Sequence, residues 1–249
     1  MNGDCTIGYN DPVKRVSYTA AHCGRGVKRV YLLDISSEKP QKLISAGTIE
    51  MSPNFDQATG FNDWATIHWN DGVTIHPNTF DRDGNVPVRN LRKGQTVCYH
   101  GYAQHGTSGG ANCGDIIAIL GNKILYEADP TQPGDSGGPV YLPGGGLVGV
   151  SSAHFAIPDR DGRIHNVNVA SAPSDGPVVS KEAQSAAVSR HYGRKVSFSE
   201  IEPEPGSALV EGLTEMGSSD PEAFVIALVV IGGLMGALAL GDIIGRALM

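Results

Sequence analysis

Short runs rich in Val, Ile, Thr and Tyr recur along the first 199 residues, separated by turn-forming clusters. Lys28–Ile35, Lys42–Ile49, Trp64–Trp69, Gln95–Gly101, Asp115–Ile119, Lys123–Tyr126, Leu147–Ser152 and Ile164–Val169 each have strand length and strand composition. Pro53-Asn54, Asn70-Asp71-Gly72, Asp83-Gly84-Asn85 and Pro143-Gly144-Gly145-Gly146 break the chain between them. Ser180–His191, just after Pro177, is the one stretch that reads better as a helix. The pattern predicts an all-β barrel or sandwich closed by one helix.

A different pattern ends the chain. Ala223–Gly241 reads AFVIALVVIGGLMGALALG, nineteen residues without a charge. At about 1.5 Å per residue that run is roughly 28 Å long as a helix, close to the thickness of a bilayer's hydrocarbon core. It predicts one transmembrane helix over 223–241, with 242–249 as a short cytoplasmic tail. Gly232 with Gly236, and Gly241 with Gly245, form GxxxG spacings that would let two such helices pack as a homodimer. Arg246 beyond the span favours a cytoplasmic C-terminus, which places the body outside, as a single-pass protein of the cell membrane.

Charge divides the chain further. The net charge is −7, and the excess sits in 200–222, where seven acids (Glu200, Glu202, Glu204, Glu211, Glu215, Asp220, Glu222) meet no base. With Pro203, Pro205 and Pro221 this stretch reads as an acidic, flexible linker. Residues 1–199 are neutral, with 18 basic and 18 acidic side chains. Neither part offers the basic surface of a nucleic-acid binder. No Cys-x-x-Cys occurs and the eight His are scattered, so neither a zinc site nor a cofactor is expected.

The chemistry lies in three motifs. Gly134-Asp135-Ser136-Gly137-Gly138-Pro139 sets a Ser on a tight glycine-rich turn. A serine hydroxyl attacks a carbonyl when a base takes its proton and donors hold the oxyanion. Thr19-Ala20-Ala21-His22-Cys23 supplies a His after a strand-like run, and Phe61-Asn62-Asp63-Trp64-Ala65 an Asp before one. Each alone has a bland explanation; the three in the order His, Asp, Ser form a far rarer set.

TAAHC, NDWA and GDSGGP in that order resemble the chymotrypsin-like (trypsin-like) serine proteases. Three further features are similar to the bacterial streptogrisin and α-lytic branch. One is Cys5-Thr6-Ile7-Gly8-Tyr9-Asn10 before TAAHC. Another is the hairpin-like stretch from Val97-Cys98 to Asn112-Cys113-Gly114. The third is the closing segment from Gly176-Pro177-Val178 to His191-Tyr192-Gly193. The resemblance covers about residues 4–199 and implies a double six-stranded antiparallel β-barrel with a C-terminal helix. It implies Ser136 as nucleophile, His22 as general base and then acid, and Asp63 as the group that orients His22. It further implies an oxyanion hole from the N–H groups of Gly134 and Ser136, and disulfides Cys5–Cys23 and Cys98–Cys113.

The sequence also departs from that family. The chain opens Met1-Asn2-Gly3-Asp4-Cys5, with no secretory signal visible. An upstream strand, propeptide and signal sequence are therefore expected to be missing from a shortened N-terminus. Tyr99 stands where the bacterial branch has an Arg, which leaves the partner of Asp135 open. At the specificity pocket, Pro130 occupies the floor position and Asp129 lies one residue off, so cleavage after Arg or Lys is not implied. Thr131, Ser152 and His154 are the remaining candidates for substrate binding, with Ser152 pairing the substrate main chain and His154 at the pocket mouth.

The function this predicts is a membrane-tethered, extracytoplasmic serine endopeptidase acting on polypeptides through an acyl-enzyme. The alternative is a catalytically silent protease-like module that binds a partner at the membrane. A third reading is a cytoplasmic tail-anchored protein with reduced cysteines.

Overall fold

The computed structural model describes residues 5–26, 29–34, 42–78, 84–106, 110–159, 161–197, 199, 223–226, 228–231 and 234–237. The first half of the chain builds an open antiparallel sheet from β1 (Tyr9–Asp11), β2 (Val16–Thr19), β3 (Arg29–Asp34), β4 (Lys42–Met51) and β5 (Ala65–Trp69). Their order is β1-β2-β5-β4-β3. Alternation along β5 puts Ala65, Ile67 and Trp69 on one face, where they pack with Val30, Ala46 and Ile49.

The second half closes into a barrel of six strands. These are β6 (Thr96–Tyr99), β7 (Asn112–Leu120), β8 (Lys123–Glu127), β9 (Pro139–Leu142), β10 (Gly146–Pro158) and β11 (Ile164–Ser171), in the cyclic order β10-β11-β8-β7-β6-β9. The barrel strands are apolar on both faces, and each face has its own core. Val97, Tyr99, Ile116, Ile124, Tyr126, Val140 and Val148 fill one. Ile117, Leu125, Phe155, Ile157, Val167 and Val169 form the other, with Val188 of the C-terminal helix. That helix, α2 (Lys181–Tyr192), starts at Ser180, whose hydroxyl accepts from Ala183 N–H, and stops at Gly193 in the left-handed region. Burying one Val fully in this way contributes about 2 kcal/mol. A short helix, α1 (Tyr102–His105), lies inside the β6–β7 hairpin.

Two expectations are corrected. The fold is not a pair of six-stranded barrels. The first unit stays open because β1 and β3 do not meet; β3 instead takes β12 (Ala223–Ile226) on its free edge, in parallel, with Ala223 opposite Arg29 and Ile226 opposite Leu32. Nor does 223–241 form a spanning helix: no described helix is long and apolar enough to cross a membrane. The described residues of the run are instead β12, β13 (Leu228–Ile231) and β14 (Leu234–Ala237), the last two paired antiparallel.

The physical reason is composition. A short apolar run suits a buried strand as well as a helix, and Val225, Ile226, Val229, Val230 and Ile231 are β-branched. Gly236 lies in the strand β14 and not in a helix, so the GxxxG dimer has no basis; Gly232 lies outside the described residues. The single-pass topology and membrane anchoring fall with the helix. The acidic stretch 200–222 and the tail 242–249 lie outside the described residues, as does Gly241–Gly245.

Candidate active site

His22 sits in a tight helical turn, Ala21–Gly24, immediately after β2. Ala21 and Cys23 on either side are fully buried, so the turn is seated in the protein while the imidazole stays partly exposed. Asp63 precedes β5 and is 3% exposed. Its carboxylate grips His22 twice: Oδ1 accepts the main-chain N–H at 2.8 Å and Oδ2 faces ring Nδ1 at 2.7 Å. Burial pushes the His22 pKa down, but the charge and hydrogen bond of Asp63 outweigh it and raise the pKa above the usual 6.5. Burial likewise pushes Asp63 up, and His22, Ser152 and the His22 N–H together hold it below the usual 3.8.

The turn that presents Asp63 is itself tied down. Asn62 adopts a positive φ of 55° and is fully buried. Its amide donates to Asn54 O at 3.0 Å and Gly176 O at 3.2 Å, and its Oδ1 accepts from Gly176 N–H at 2.8 Å. Asp175 next door accepts from Trp64 Nε1 at 3.0 Å and Asn54 Nδ2 at 2.7 Å. Asn62 and Asp175 were not among the sequence candidates. An Asn beside the motif Asp was the available signal for the first.

Ser136 lies on the loop between β8 and β9, half-buried between fully or nearly buried neighbours. Thr6 braces that loop. Its main-chain N–H donates to Ser136 O and its hydroxyl to Gly134 O, each at 2.7 Å. Gly137 has a φ of +82°, and a Cβ there would fall 2.2 Å from Thr19 Oγ1 and 2.3 Å from Thr6 O. The loop therefore needs glycine at that position. The disulfide Cys5–Cys23 joins the segment that carries Thr6 to the residue after His22, and Cys98–Cys113 closes the β6–β7 hairpin. The sulfurs of Cys5 and Cys23 lie near His22, but bonded to each other they offer no thiolate to a metal.

Two main-chain N–H groups of the loop are unengaged. Among the described residues, neither Gly134 N–H nor Ser136 N–H is taken by a hydrogen bond, whereas Gly137 N–H goes to Ser151 O and Gly138 N–H to Asp135 O. The Ser136 hydroxyl also makes no hydrogen bond among the described residues. The structure thus joins His22 to Asp63 directly, and links Ser136 to them indirectly, through the Thr6 and Cys5–Cys23 brace and through the Gly137–Ser151 hydrogen bond beside Ser152.

Asp135 finds a partner that the sequence left open. It is fully buried, and the main-chain N–H groups of Gln104 (3.1 Å) and Gln132 (2.9 Å) donate to its two oxygens. Burial raises its pKa above 3.8, against those two donors. The carboxylate lies against Gly101, where a Cβ would come within 2.1 Å of Oδ1.

The four substrate-binding candidates part ways. Ser152 turns its hydroxyl onto Asp63 Oδ2, a side-chain role that the sequence reading did not give it. It also falls at a register shift between Ser151 and Ala153, outside the β10–β11 pairing. His154 is exposed, opposite Asn168. Pro130 and Thr131 lie on a loop fixed from below by Asn168, which is fully buried: Oδ1 accepts from Thr131 N–H at 3.0 Å and Nδ2 donates to Asp129 O at 2.8 Å. The Tyr99 hydroxyl sits 3.1 Å from Asp129 O and 3.2 Å from Pro130 O, its pKa pushed up to about 12, mainly by burial. Asn168 was missed. An Asn set between Val167 and Val169 was the signal for it.

Comparison with known proteins points the same way. A family model described as Trypsin matches residues 15–172. Two curated proteins of Mycobacterium tuberculosis are each 28% identical to this chain over 170 residues, covering 60% of this chain and 67% of the relative. They are Uncharacterized protein MT1863 of strain CDC 1551 / Oshkosh and Uncharacterized protein Rv1815 of strain ATCC 25618 / H37Rv.

Proposed function

The chain belongs to the trypsin family, and from that premise we propose that it is a serine endopeptidase with Ser136, His22 and Asp63 as its catalytic residues. The observation that carries this reading is the double grip of buried Asp63 on His22. One carboxylate fixes both the main chain and the ring of the base, with Nδ1 bound and Nε2 left for substrate chemistry.

His22 Nε2 takes the Ser136 proton as Oγ adds to the scissile carbonyl. The carbonyl oxygen becomes an anion held by the N–H groups of Gly134 and Ser136, each such donor contributing about 3 kcal/mol in the transition state. The C–N bond then breaks, the amine leaves with the proton from His22, and water hydrolyses the acyl-Ser136 ester by the reverse proton path. The register shift at Ser152 frees its main chain from β11, which supports substrate pairing there. Thr131, on the loop fixed by Asn168, and Pro130 and His154 are assigned to the substrate pocket. Within the family we place the chain nearest the streptogrisin and α-lytic branch. The Cys5–Cys23 and Cys98–Cys113 disulfides and the α2 closure support that placement.

The second reading, a silent binding module, has one observation in its favour: the Ser136 hydroxyl is not hydrogen-bonded to His22. Fluorophosphonate labelling separates the two, since only an activated serine reacts. The expected result is labelling of the full chain that disappears in Ser136→Ala. A folded, disulfide-bonded protein that does not label supports the binding module.

A further inference from the structure

We propose that Lys123 is a positioning residue for the catalytic site, its buried amino group holding the turn that carries Asp63 against the barrel and α2. The proposal rests on the reading of Asp63 as the partner of the base. Lys123 opens β8 and is 6% exposed. Its Nζ donates to Thr59 O and, at 3.1 Å, to Gln184 Oε1 of α2. It also lies 4.7 Å from the centroid of the Phe61 ring. Thr59 and Phe61 flank the turn that ends at Asp63, so one side chain ties that turn to two other elements.

The chemistry of the position argues for a role beyond packing. A core that needed only volume there would take Met or Leu, without the several kcal/mol that desolvating an ammonium costs. The charged groups facing Lys123 are Asp56 and Asp63, both on the held segment. From α2 it meets neutral Gln184. From β10 only Ser152, Ala153 and Phe155 border the small cleft beside it, a cleft that also includes Gly60, Leu125 and Val169. No anion forms an ion pair with Nζ among the described residues. The cation is therefore held by a carbonyl, an amide oxygen and an aromatic face, with the two carboxylates acting at longer range. Burial pushes its pKa down to about 8, against the pull of Asp63 and Asp56. The charge that helps seat Asp63 is thus one that the site surrenders in mild alkali.

The test is the fluorophosphonate labelling rate of the full chain against pH, for the native sequence, Lys123→Met and Lys123→Arg. The low-field proton NMR signal of the His22–Asp63 hydrogen bond is read in parallel. The native rate is expected to fall above about pH 8. Lys123→Met is expected to label roughly ten- to hundredfold more slowly at neutral pH, as a displaced catalytic group does, and to lack that fall. Lys123→Arg, charged throughout, is expected to keep the native rate and to hold it through mild alkali. A basic limb unchanged in Lys123→Arg overturns the proposal, as does a folded Lys123→Met that labels at the native rate. If Lys123→Met fails to fold, the Lys123→Arg profile decides. If nothing labels, the endopeptidase reading fails, and the NMR signal decides the positioning alone. A shift as Lys123 titrates in the native protein, absent in Lys123→Arg, supports it; a signal indifferent to that titration overturns it.

Discussion

Ser152 donates its hydroxyl to Asp63 Oδ2, the same oxygen that faces His22 Nδ1 at 2.7 Å. A strand of the barrel thereby reaches across to the carboxylate that the open sheet supplies, and the pair His22–Asp63 is fixed from both halves of the fold. Replacing Ser152 by Ala removes a hydrogen bond to a charged group, which costs about 1.5–3 kcal/mol. The freed carboxylate becomes more basic and holds the imidazolium more strongly. The expected outcome is a lower urea midpoint and an acid limb of the pH–rate profile moved to higher pH. An acid limb that stays in place would contradict the coupling of Ser152 to His22.

The pH dependence of the pair has two opposed signs. The His22 pKa is raised above 6.5, so its stabilisation is complete below 6.5 and is lost as pH rises through the folded value. The Asp63 pKa is lowered below 3.8, so its contribution is present above 3.8 and is lost as pH falls through the folded value. The pair supports the fold most between those reference values, whereas the base must be neutral to act. Activity is therefore expected to rise with pH through a midpoint above 6.5, where the pair's contribution to stability is already declining. Asp63→Asn should remove that decline from urea midpoints measured across pH, and should lower kcat by about 10⁴.

Thr6 links the loop that carries Ser136 to the turn that carries His22. Its hydroxyl donates to Gly134 O and accepts from Tyr102 N–H at 3.1 Å, while Cys5 next to it is bonded to Cys23 beside His22. Thr6→Val keeps the shape and removes both hydroxyl contacts, and loss of the buried one to Gly134 O costs about 1–3 kcal/mol. Fluorophosphonate labelling is expected to slow more than KM for a peptide substrate rises, because the loop holding the oxyanion donors loosens while the pocket loop at 129–131 is held separately by Asn168. Equal effects on both would show that Thr6 serves general stability alone.

The strands and the His, Asp and Ser motifs were legible because each depends on local signals: alternation for β5, a short apolar run between turn signals for β8, and residue type at fixed spacing for TAAHC and GDSGGP. What stayed hidden depends on contacts between distant segments. Asp135 resembles an orphan in sequence, since its donors are main-chain N–H groups that carry no residue-type signature. The bond from the Ser152 hydroxyl to Asp63 stayed hidden because strand alternation does not reveal the register shift between Ser151 and Ala153. The apolar run from Ala223 was misread because hydropathy and length fit a span, and only its pairing with β3 distinguishes a strand. The short β1 and β9 escaped because three or four residues give too few positions for a period to register.

Asp135 supplies the last prediction. Each of its carboxylate oxygens accepts from a main-chain N–H, one of them in α1 within the hairpin that Cys98–Cys113 closes. Asp135→Asn turns one acceptor into a donor facing another donor, so one main-chain N–H loses its partner inside the protein. The pKa of Asp135 is raised, so between 3.8 and its folded value the native protein holds the extra proton, and stability from this group falls as pH rises through that interval. Asp135→Asn is expected to abolish that acid-side slope. It is also expected to slow labelling of Ser136 by roughly 100-fold or more, the scale of losing an oxyanion donor, because Gly134 and Ser136 flank the displaced residue. Urea midpoints from about pH 3 upward, measured beside labelling rates for the same variant, check both halves. A variant that labels normally while losing the slope would mean that the oxyanion loop is set by Thr6 alone, with Asp135 serving only the hairpin.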